Sequence, residues 1–299
     1  MDTRLVWRTR KNGQGRPVRL AKVGEQAWVS SRRAAEKLQP QLRKEVATWQ
    51  EGGDVSDADI VALIVEGDPT AIAKALMPAT GDAALLAEWE AWAAEIIAIA
   101  GIAQWKEIGI IGSFSIDNPY SAPWMLEHGG ALITQISETT RRAIAAEVAK
   151  GFTEHYPPRE MAMTIRAYVG LDSNRARALM AYEAELRAEG IGGKKLATAL
   201  LNRSASLIRD RSLVIARTET INAHANGTLQ SWQEGQRTGQ ISKSAKKVWI
   251  AAMGSERTCS ICIGLDGLTA PLDGTFTGGY TSPTAHVTCR CAMGLKYKD

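Results

Sequence analysis

The chain has 299 residues, enough to bury a substantial hydrophobic core in one large domain or two. Its apolar fraction of 45% is ordinary for a globular protein. The most apolar stretch runs only from Ile96 to Trp105, whereas a membrane-spanning helix needs about 20 residues. We therefore expect no membrane span, and the polar, basic N-terminus leads us to expect no secretory signal.

The net charge of +4 hides a segregation of charge along the chain. Residues 1–45 hold twelve Lys and Arg against four Asp and Glu, a net of +8, and residues 46–100 hold one against ten, a net of −9. A basic arm of this kind could contact DNA or an acidic protein surface. The alternative, which the spread of the basic residues slightly favours, is that the two segments neutralise each other within the fold.

The first part of the chain predicts an irregular start followed by helices. Glycines among scattered basic residues predict an extended arm or a loose strand pair over the first 30 residues. A helix is predicted from Ser31 to Trp49. Ser56 with Asp59 is a capping-box pattern for a second helix that stops at Gly67, and Asp68-Pro69 has the order of cap and proline that starts a third.

A Pro- and Gly-containing stretch from Gly112 to Trp124 is our candidate boundary between domains. It separates an N-terminal arm and helical region, residues 1–125, from a C-terminal domain, residues 126–299. Helical periodicity resumes after it and is broken at Tyr156-Pro157-Pro158. Further helices are predicted from about Asp82 to Trp105, from Asp172 to Glu189, from near Gly193, and from Ser204 to Glu234.

The character of the sequence changes after Gly239. The segment "KVWIAAMG" predicts a strand, and the rest is rich in Gly, Thr, Pro and Asp. A segment with so few large apolar side chains has difficulty forming a core of its own and usually needs a disulfide or a metal. The predicted fold is therefore mainly α with a small irregular α+β C-terminal region held by a metal.

All four cysteines lie in the last 41 residues, with one histidine beside them. The five potential metal ligands are Cys259, Cys262, His286, Cys289 and Cys291. Thiolates two or three positions apart on a turn can face one cation, and two such turns can form a tetrahedral site. Zinc suits sulfur and imidazole ligands, so we predict that four of these five residues bind a structural Zn²⁺ within a region spanning residues 247–295.

Three other interpretations of the cysteines stay open. The thiols could form two disulfides, although synthesis in a reducing cytosol argues against them. They could be ordinary buried thiols, which their clustering makes unattractive. Cys259 and Cys262 could be a redox pair, although the pair is not expected to open a helix after a strand as a thioredoxin motif does.

A catalytic zinc site is less well supported. Asp266 and Asp273 lie between the two ligand groups and could act as bases, but "GLDG" and "PLDG" are more typical of turns. The sequence contains no H-x-E or H-E-x-x-H motif. We therefore expect no catalytic residue and no enzymatic activity.

Three stretches near the end of the chain match the pattern of a known family. They are "IARTETINAHANGTLQSWQEG", "KVWIAAMGSERTCSICIGLDGL" and "HVTCRC". The matching positions are Ala216 to Glu219, Lys247, Trp249, Arg257-Thr258, Cys262, Asp266-Gly267, His286, Cys289, Arg290 and Cys291. In their order and spacing they resemble the domain of phage head morphogenesis proteins, the phage Mu F-like minor head proteins.

The resemblance implies a minor phage head protein that acts in head morphogenesis. It implies a location in the virion head, with the host bacterial cytoplasm as the site of assembly. The implied partners are the portal protein and capsid or scaffold components, with DNA contact through the basic N-terminal arm as a further hypothesis and with no small-molecule substrate. The alternative is a zinc-dependent enzyme, such as a nuclease or toxin-like effector, because domains of this family are sometimes fused to toxins.

Overall fold

The secondary structure is mainly helical. A computed structural model describes residues 5–9, 15–51, 55–77, 79–110, 112–128, 131–253 and 258–296. Its helices are α1 (Leu20–Glu51), α2 (Asp57–Glu66), α3 (Pro69–Leu76), α4 (Ala79–Ile108), α5 (Ser121–His128), α6 (Ala131–Thr153), α7 (Pro158–Ile165), α8 (Ser173–Ala188), α9 (Gly193–Arg237) and α10 (Ser260–Leu265). Its strands are β1 (Leu5–Thr9), β2 (Gly15–Arg19), β3 (Lys246–Ile250), β4 (Thr269–Pro271) and β5 (Ala292–Lys296).

The strands form two small antiparallel sheets. β1 pairs with β2, so the strand pair is the correct one of the two predictions for the start of the chain. β3 is the central strand of the other sheet, between β4 and β5. In the pairing of β3 with its two neighbours, Lys247 lies opposite Ala270 of β4 and Leu295 of β5. The predicted fold class, mainly α with a small α+β C-terminal region, is confirmed.

Local capping signals place several helix ends where the sequence predicts them. The Ser56 hydroxyl accepts the Asp59 N–H at 3.2 Å, and the Asp59 carboxylate accepts the Ser56 N–H at 2.9 Å, which completes the capping box. Gly67 ends α2 with a φ of 75°, a conformation that glycine adopts without a steric penalty. The Asp68 carboxylate accepts the first N–H groups of α3. These signals act over three or four residues, so they can be read directly from the sequence.

Other helix limits differ from the prediction. α1 begins at Leu20, eleven residues before the predicted start, and contains Gly24. α9 is one helix of 45 residues where two were predicted, because buried residues such as Leu200 and Ile208 continue one packed face across the predicted break. α5 begins at Ser121, inside the predicted loop. The predicted break at Tyr156-Pro157-Pro158 is present, since α6 ends at Thr153, and a short helix, α7, begins at Pro158 itself.

Two compact units divide the chain, and neither is continuous in sequence. The first contains Met1–Lys37, Trp89–Gly129 and Ala216–Asp299, and the second contains Leu38–Glu88 and Gly130–Ile215. Helices α1, α4 and α9 contribute residues to both. The predicted family domain over residues 126–299 stays a prediction.

Within the first unit, the backbones of α4 and α9 approach each other very closely. A Cβ on Gly227 of α9 would lie 2.6 Å from the carbonyl oxygen of Ile97 and 2.8 Å from its Cα, so only glycine allows this approach. The Trp105 indole N–H donates to the Ser231 carbonyl at 2.9 Å, and the Ser121 hydroxyl donates to Gln230 at 2.6 Å. These contacts position the segment of α9 on which the C-terminal region packs.

The second unit buries charged side chains between α6, α7 and α8. Glu183 is fully buried, and it accepts hydrogen bonds from Lys150 at 3.1 Å, Tyr168 at 2.8 Å and Arg187 at 2.8 Å. Burial opposes its ionisation, but these partners hold the pKa of Glu183 below its usual value. Glu183 therefore carries the negative charge that Lys150 and Arg187 balance.

A second buried carboxyl, Glu147, is influenced by Glu183, Lys150 and Tyr168 but makes no close ion pair among the described residues. It is 1% exposed, and neither of its oxygens has a hydrogen-bond partner in the described part of the chain. Burial, and next the charge of Glu183, raise the pKa of Glu147 to about 8. Arg187 also pairs with Glu160, so the cluster has three carboxyls and two cations. The charge balance and the burial both place a proton on Glu147.

We expect Glu147→Gln to stabilise the protein at pH 8. The folded state keeps the Glu147 carboxyl protonated up to a pKa of about 8, whereas the unfolded chain ionises it near 4.5. Unfolding therefore releases a proton from Glu147 between these pH values, so the contribution of Glu147 to wild-type stability falls as the pH rises through this window and changes little above it. Glutamine does not titrate, and the gain in free energy of unfolding should reach on the order of 4 kcal/mol at pH 8.

Urea unfolding at pH 4.5, 6 and 8 measures this difference. Glu185→Gln, at an exposed position of the same unit, is the matched control and should give no pH-dependent gain. A constant difference between wild type and Glu147→Gln across the three pH values would contradict the assignment of the proton.

Candidate metal centre

The C-terminal region shares a hydrophobic core with α9. The sequence predicts that the region has difficulty forming a core of its own, and its large side chains pack against residues of α9. Trp249 of β3 packs edge-to-face on Phe276, with ring centroids 5.2 Å apart. The buried members of this core are Ala225, Leu229, Trp232, Ile241, Ala245, Trp249, Ala251, Cys262, Leu265, Ala270, Leu272, Phe276, Cys289, Cys291, Met293 and Leu295.

Cys259 and Cys262 are positioned by the first turn of α10. Cys259 is the N-cap residue, and its Sγ accepts the backbone N–H of Cys262 at 3.4 Å. The pair therefore does open a short helix after β3, and the contrary expectation from sequence was wrong. The cap leaves Cys259 half-buried and directs Cys262 into the core, so both sulfurs face the inside of the turn.

The second ligand group comes from a turn just before β5. The Cys289 N–H donates to the His286 carbonyl at 3.1 Å and closes this turn. His286 Nε2 lies 3.2 Å from the Sγ of Cys259 and 3.1 Å from the Sγ of Cys262. The sulfurs of Cys262 and Cys289 are 3.8 Å apart. The two groups are separated by 23 residues in sequence, and the fold brings them into contact.

The five predicted ligands form two overlapping triads. One is Cys259, Cys262 and His286, the other is Cys262, Cys289 and Cys291, and within each triad the ligand atoms lie within 4.8 Å of one another. Tetrahedral zinc with Zn–S bonds of about 2.3 Å separates two sulfurs by roughly 3.8 Å. The distance between Cys262 and Cys289 equals that separation. The ligand atoms are therefore close enough to hold a metal ion, and Cys262 belongs to both triads.

The thiols differ strongly in acidity. A hydrogen bond from Cys291 lowers the pKa of Cys289 to about 5, and the same bond raises the pKa of Cys291. Burial raises the pKa of Cys262 to about 12. The backbone N–H of Cys262 lowers the pKa of Cys259. Cys289 is thus the thiol whose surroundings most favour the thiolate, the form that binds metals.

The geometry bears on the other interpretations of the cysteines. All four are free, and the 3.8 Å between Cys262 and Cys289 is far longer than a disulfide bond of about 2.05 Å. Ordinary buried thiols do not need an imidazole between them, yet His286 lies between Cys259 and Cys262. A redox pair requires two sulfurs, whereas Cys262 has four neighbouring ligand residues in hydrogen-bond contact with it.

The two candidate bases, Asp266 and Asp273, both lie in turns. Asp266 accepts the backbone N–H of Ala251 at 2.9 Å and so connects α10 to the end of β3. Asp273 is an exposed residue of the turn after β4. The side chains of the basic N-terminal arm lie outside the described residues, so the predicted DNA contact stays a prediction.

Lys247 is a residue whose role sequence analysis missed. In the sequence it is only one of the positions that match the family pattern, but in the structure its side chain is completely buried in β3. Its Nζ donates to the carbonyls of Leu272 at 3.3 Å and Gly274 at 2.6 Å and lies 5.4 Å from the centre of the Phe276 ring. Burial lowers the pKa of Lys247 to about 8. One feature of the sequence could have indicated this role: a lysine occupies an inward position of the strand "KVWI".

The fold and site define a helical protein with a Cys/His cluster in its C-terminal region. Residues 180–294 match the model of a family described as Phage Mu protein F like protein. The match confirms the resemblance predicted from the sequence: this part of the chain is similar to the phage Mu F-like family. The comparisons with curated proteins and with solved structures give no match.

The family supports a role in building the phage head. It also suggests capsid-related partners and a place in the virion. Among the described residues, no helix is both long and apolar enough to cross a bilayer, as the sequence predicts.

We expect Lys247→Met to destabilise the C-terminal region. Methionine fills the space of the lysine stem but leaves the carbonyls of Leu272 and Gly274 without the ammonium donor. The expected loss is about 1–3 kcal/mol in the free energy of unfolding, measured in urea. Lys246→Met, at the exposed neighbouring position, is the matched control and should change stability little. Equal stabilities of the two variants would show that the buried ammonium does not support this loop.

Proposed function

We propose that this protein acts in head morphogenesis by binding the portal protein and procapsid components, and that one structural Zn²⁺ holds its C-terminal region. The observation that carries the proposal is the pair of ligand triads that share Cys262, in a region that matches the phage Mu F-like family. Four of the five residues bind the ion, and the fifth remains beside it. The protein's role is binding and not catalysis.

The chemistry of the ligands supports zinc. Four sulfurs and one imidazole are soft and borderline ligands, which zinc accepts and which calcium and magnesium do not. The ligands come from both ends of a 23-residue connection, so an ion bound by both groups would reduce the conformational freedom of that connection. This is how structural zinc sites stabilise small regions.

The surroundings of the site support a structural ion. Of the two acidic residues between the ligand groups, Asp266 is used in a backbone hydrogen bond, and Cys262 and Cys289 are buried, with 3% and 0% exposure. Catalytic zinc keeps a position open for water and a base near it. Four protein ligands around the ion would leave no open position, which is the arrangement of a structural zinc site.

The surface beside the site supports a protein partner. Ile261 and Ile263 flank Cys262 on α10, and Val287 follows His286; these apolar side chains are 46%, 50% and 47% exposed. Leu268 and Met253 in the same region are also exposed. We call these five residues the apolar rim. Exposed apolar side chains are typical of protein-binding surfaces, these five lie near the ligand residues in sequence, and the family supports a capsid-related partner.

Zinc content tests the metal site. The full-length protein, purified without chelators, should contain one Zn²⁺ per chain by native mass spectrometry. Cys262→Ser should abolish binding because Cys262 belongs to both triads, and the C-terminal region should then become sensitive to proteases. Ser260→Ala, at an exposed position on the same helix, is the control and should keep the ion.

Cys259→Ser and Cys291→Ser identify the spare ligand. If Cys259 or Cys291 is the spare ligand, the variant that lacks it should retain zinc and the other should lose it; loss of zinc in both variants would make His286 or Cys289 the spare ligand. A wild-type protein that is free of metal, with a C-terminal region that nevertheless resists proteases, would overturn the zinc proposal.

Co-expression with the portal protein tests the partner. Wild type should form a complex that survives size-exclusion chromatography, and Ile263→Asp should weaken it at least tenfold because a charge would be buried at the contact. Ile102→Asp is the matched control, since Ile102 is 48% exposed on α4 and lies outside the apolar rim. The zinc content of both variants should match wild type. If Ile263→Asp and Ile102→Asp bind equally, the apolar rim is not the contact.

A further inference from the structure

The turn that carries two of the ligand residues contains a strained residue. Thr288 lies between His286 and Cys289 and has a φ of 59°. Among the described residues, His155 is the only other non-glycine residue with positive φ. A β-branched residue in this left-handed conformation costs about 1–2 kcal/mol, and such strain persists where the surroundings enforce it.

The strained conformation serves the geometry of the ligands. It reverses the chain within one residue, which allows the Cys289 N–H to reach the His286 carbonyl at 3.1 Å. As a result, His286 and Cys289 both face Cys262, at 3.1 Å and 3.8 Å. An extended Thr288 would direct the two ligand residues away from each other.

A contact from α9 holds the strained residue. The hydroxyl of Thr218 accepts the backbone N–H of Thr288 at 3.0 Å. Thr218 is 7% exposed, and it lies on the segment of α9 that packs in the same unit as the site. The side chain of Thr288 is exposed, so no burial of its own side chain enforces the turn. The hydrogen bond from its backbone to Thr218 is therefore an anchor that comes from outside the turn.

We propose that Thr218 is a positioning residue for the metal site: by accepting the Thr288 N–H, it holds the turn in the conformation that presents His286 and Cys289 to the ion. The proposal rests on the proposed zinc site. Thr218 itself does not bind the metal. Its loss leaves all five ligand residues in place but lets the turn relax to conformations in which they no longer converge.

Zinc affinity, measured on the full-length protein by competition with a chromophoric chelator, tests the proposal. Thr218→Val keeps the shape and removes the acceptor, and it should weaken zinc binding about tenfold, the usual cost of losing a residue that orients a ligand. Thr218→Ser keeps the hydroxyl and should bind as wild type does. Thr220→Val is the matched control, because the Thr220 hydroxyl bonds to the Ala216 carbonyl within α9.

A second substitution separates positioning from general destabilisation. Glycine adopts a positive φ without strain, so Thr288→Gly should restore most of the zinc affinity when it is combined with Thr218→Val. Amide hydrogen exchange of residue 288 in the zinc-loaded protein should be faster in Thr218→Val than in wild type. A merely structural loss in α9 would not be rescued by glycine at position 288. Circular dichroism checks that each variant folds, and Thr218→Ala replaces Thr218→Val if valine does not fit.

The outcomes distinguish this inference from the proposal on which it rests. Wild type without zinc affinity would overturn the metal site and the inference with it. Wild type that binds zinc, with Thr218→Val of equal affinity, would overturn the role of Thr218 alone. Weakened binding in Thr218→Val that glycine at position 288 does not rescue would also overturn it. Weakened binding that glycine rescues is the result that we expect.

Discussion

The convergence of Cys262 with His286 and Cys289 is the constraint on which the C-terminal region depends. These residues come from the two ends of a long connection, and their ligand atoms lie within 3.1 to 3.8 Å of Cys262. Closing such a connection costs conformational entropy that the few apolar residues inside it cannot easily offset. Either an ion or a supporting surface must compensate, and the structure provides ligand residues for the first and α9 for the second.

α9 provides that supporting surface. Leu229 and Trp232 bury the inner side of the C-terminal sheet, and Gln233 donates to the Leu272 carbonyl at 3.1 Å. Lys247 bonds to that same carbonyl from β3, so the loop after β4 is held from two sides. α9 is in turn fixed against α4 by the close approach at Gly227. The C-terminal region is therefore stabilised by a core that it shares with α9 and by a set of metal ligands. The shared core positions the residues that carry the ligands.

Features that depend on residues close in sequence were predicted correctly, whereas features that depend on distant residues were not. The ends of α2, α3 and α8 were predicted because Ser56, Asp68 and Asp172 bond to N–H groups two or three residues away. The start of α1 and the continuity of α9 were missed, since tertiary packing decides whether a glycine or a polar stretch stays helical. The shared core was missed for the same reason: the large residues that cover the C-terminal region, such as Trp232, belong to another part of the chain.

The sequence by itself determined the identity of the ligand residues, the turns that bear them and the resemblance to a family, because spacing and residue type carry that information. Tertiary structure alone decided that Cys262 lies in both triads, that Lys247 is a buried cation facing carbonyls, and that Glu147 keeps a proton beside Glu183. Each of these properties depends on which distant groups surround a side chain after folding. Desolvation and contact distances are set by those groups, and a linear pattern does not encode them.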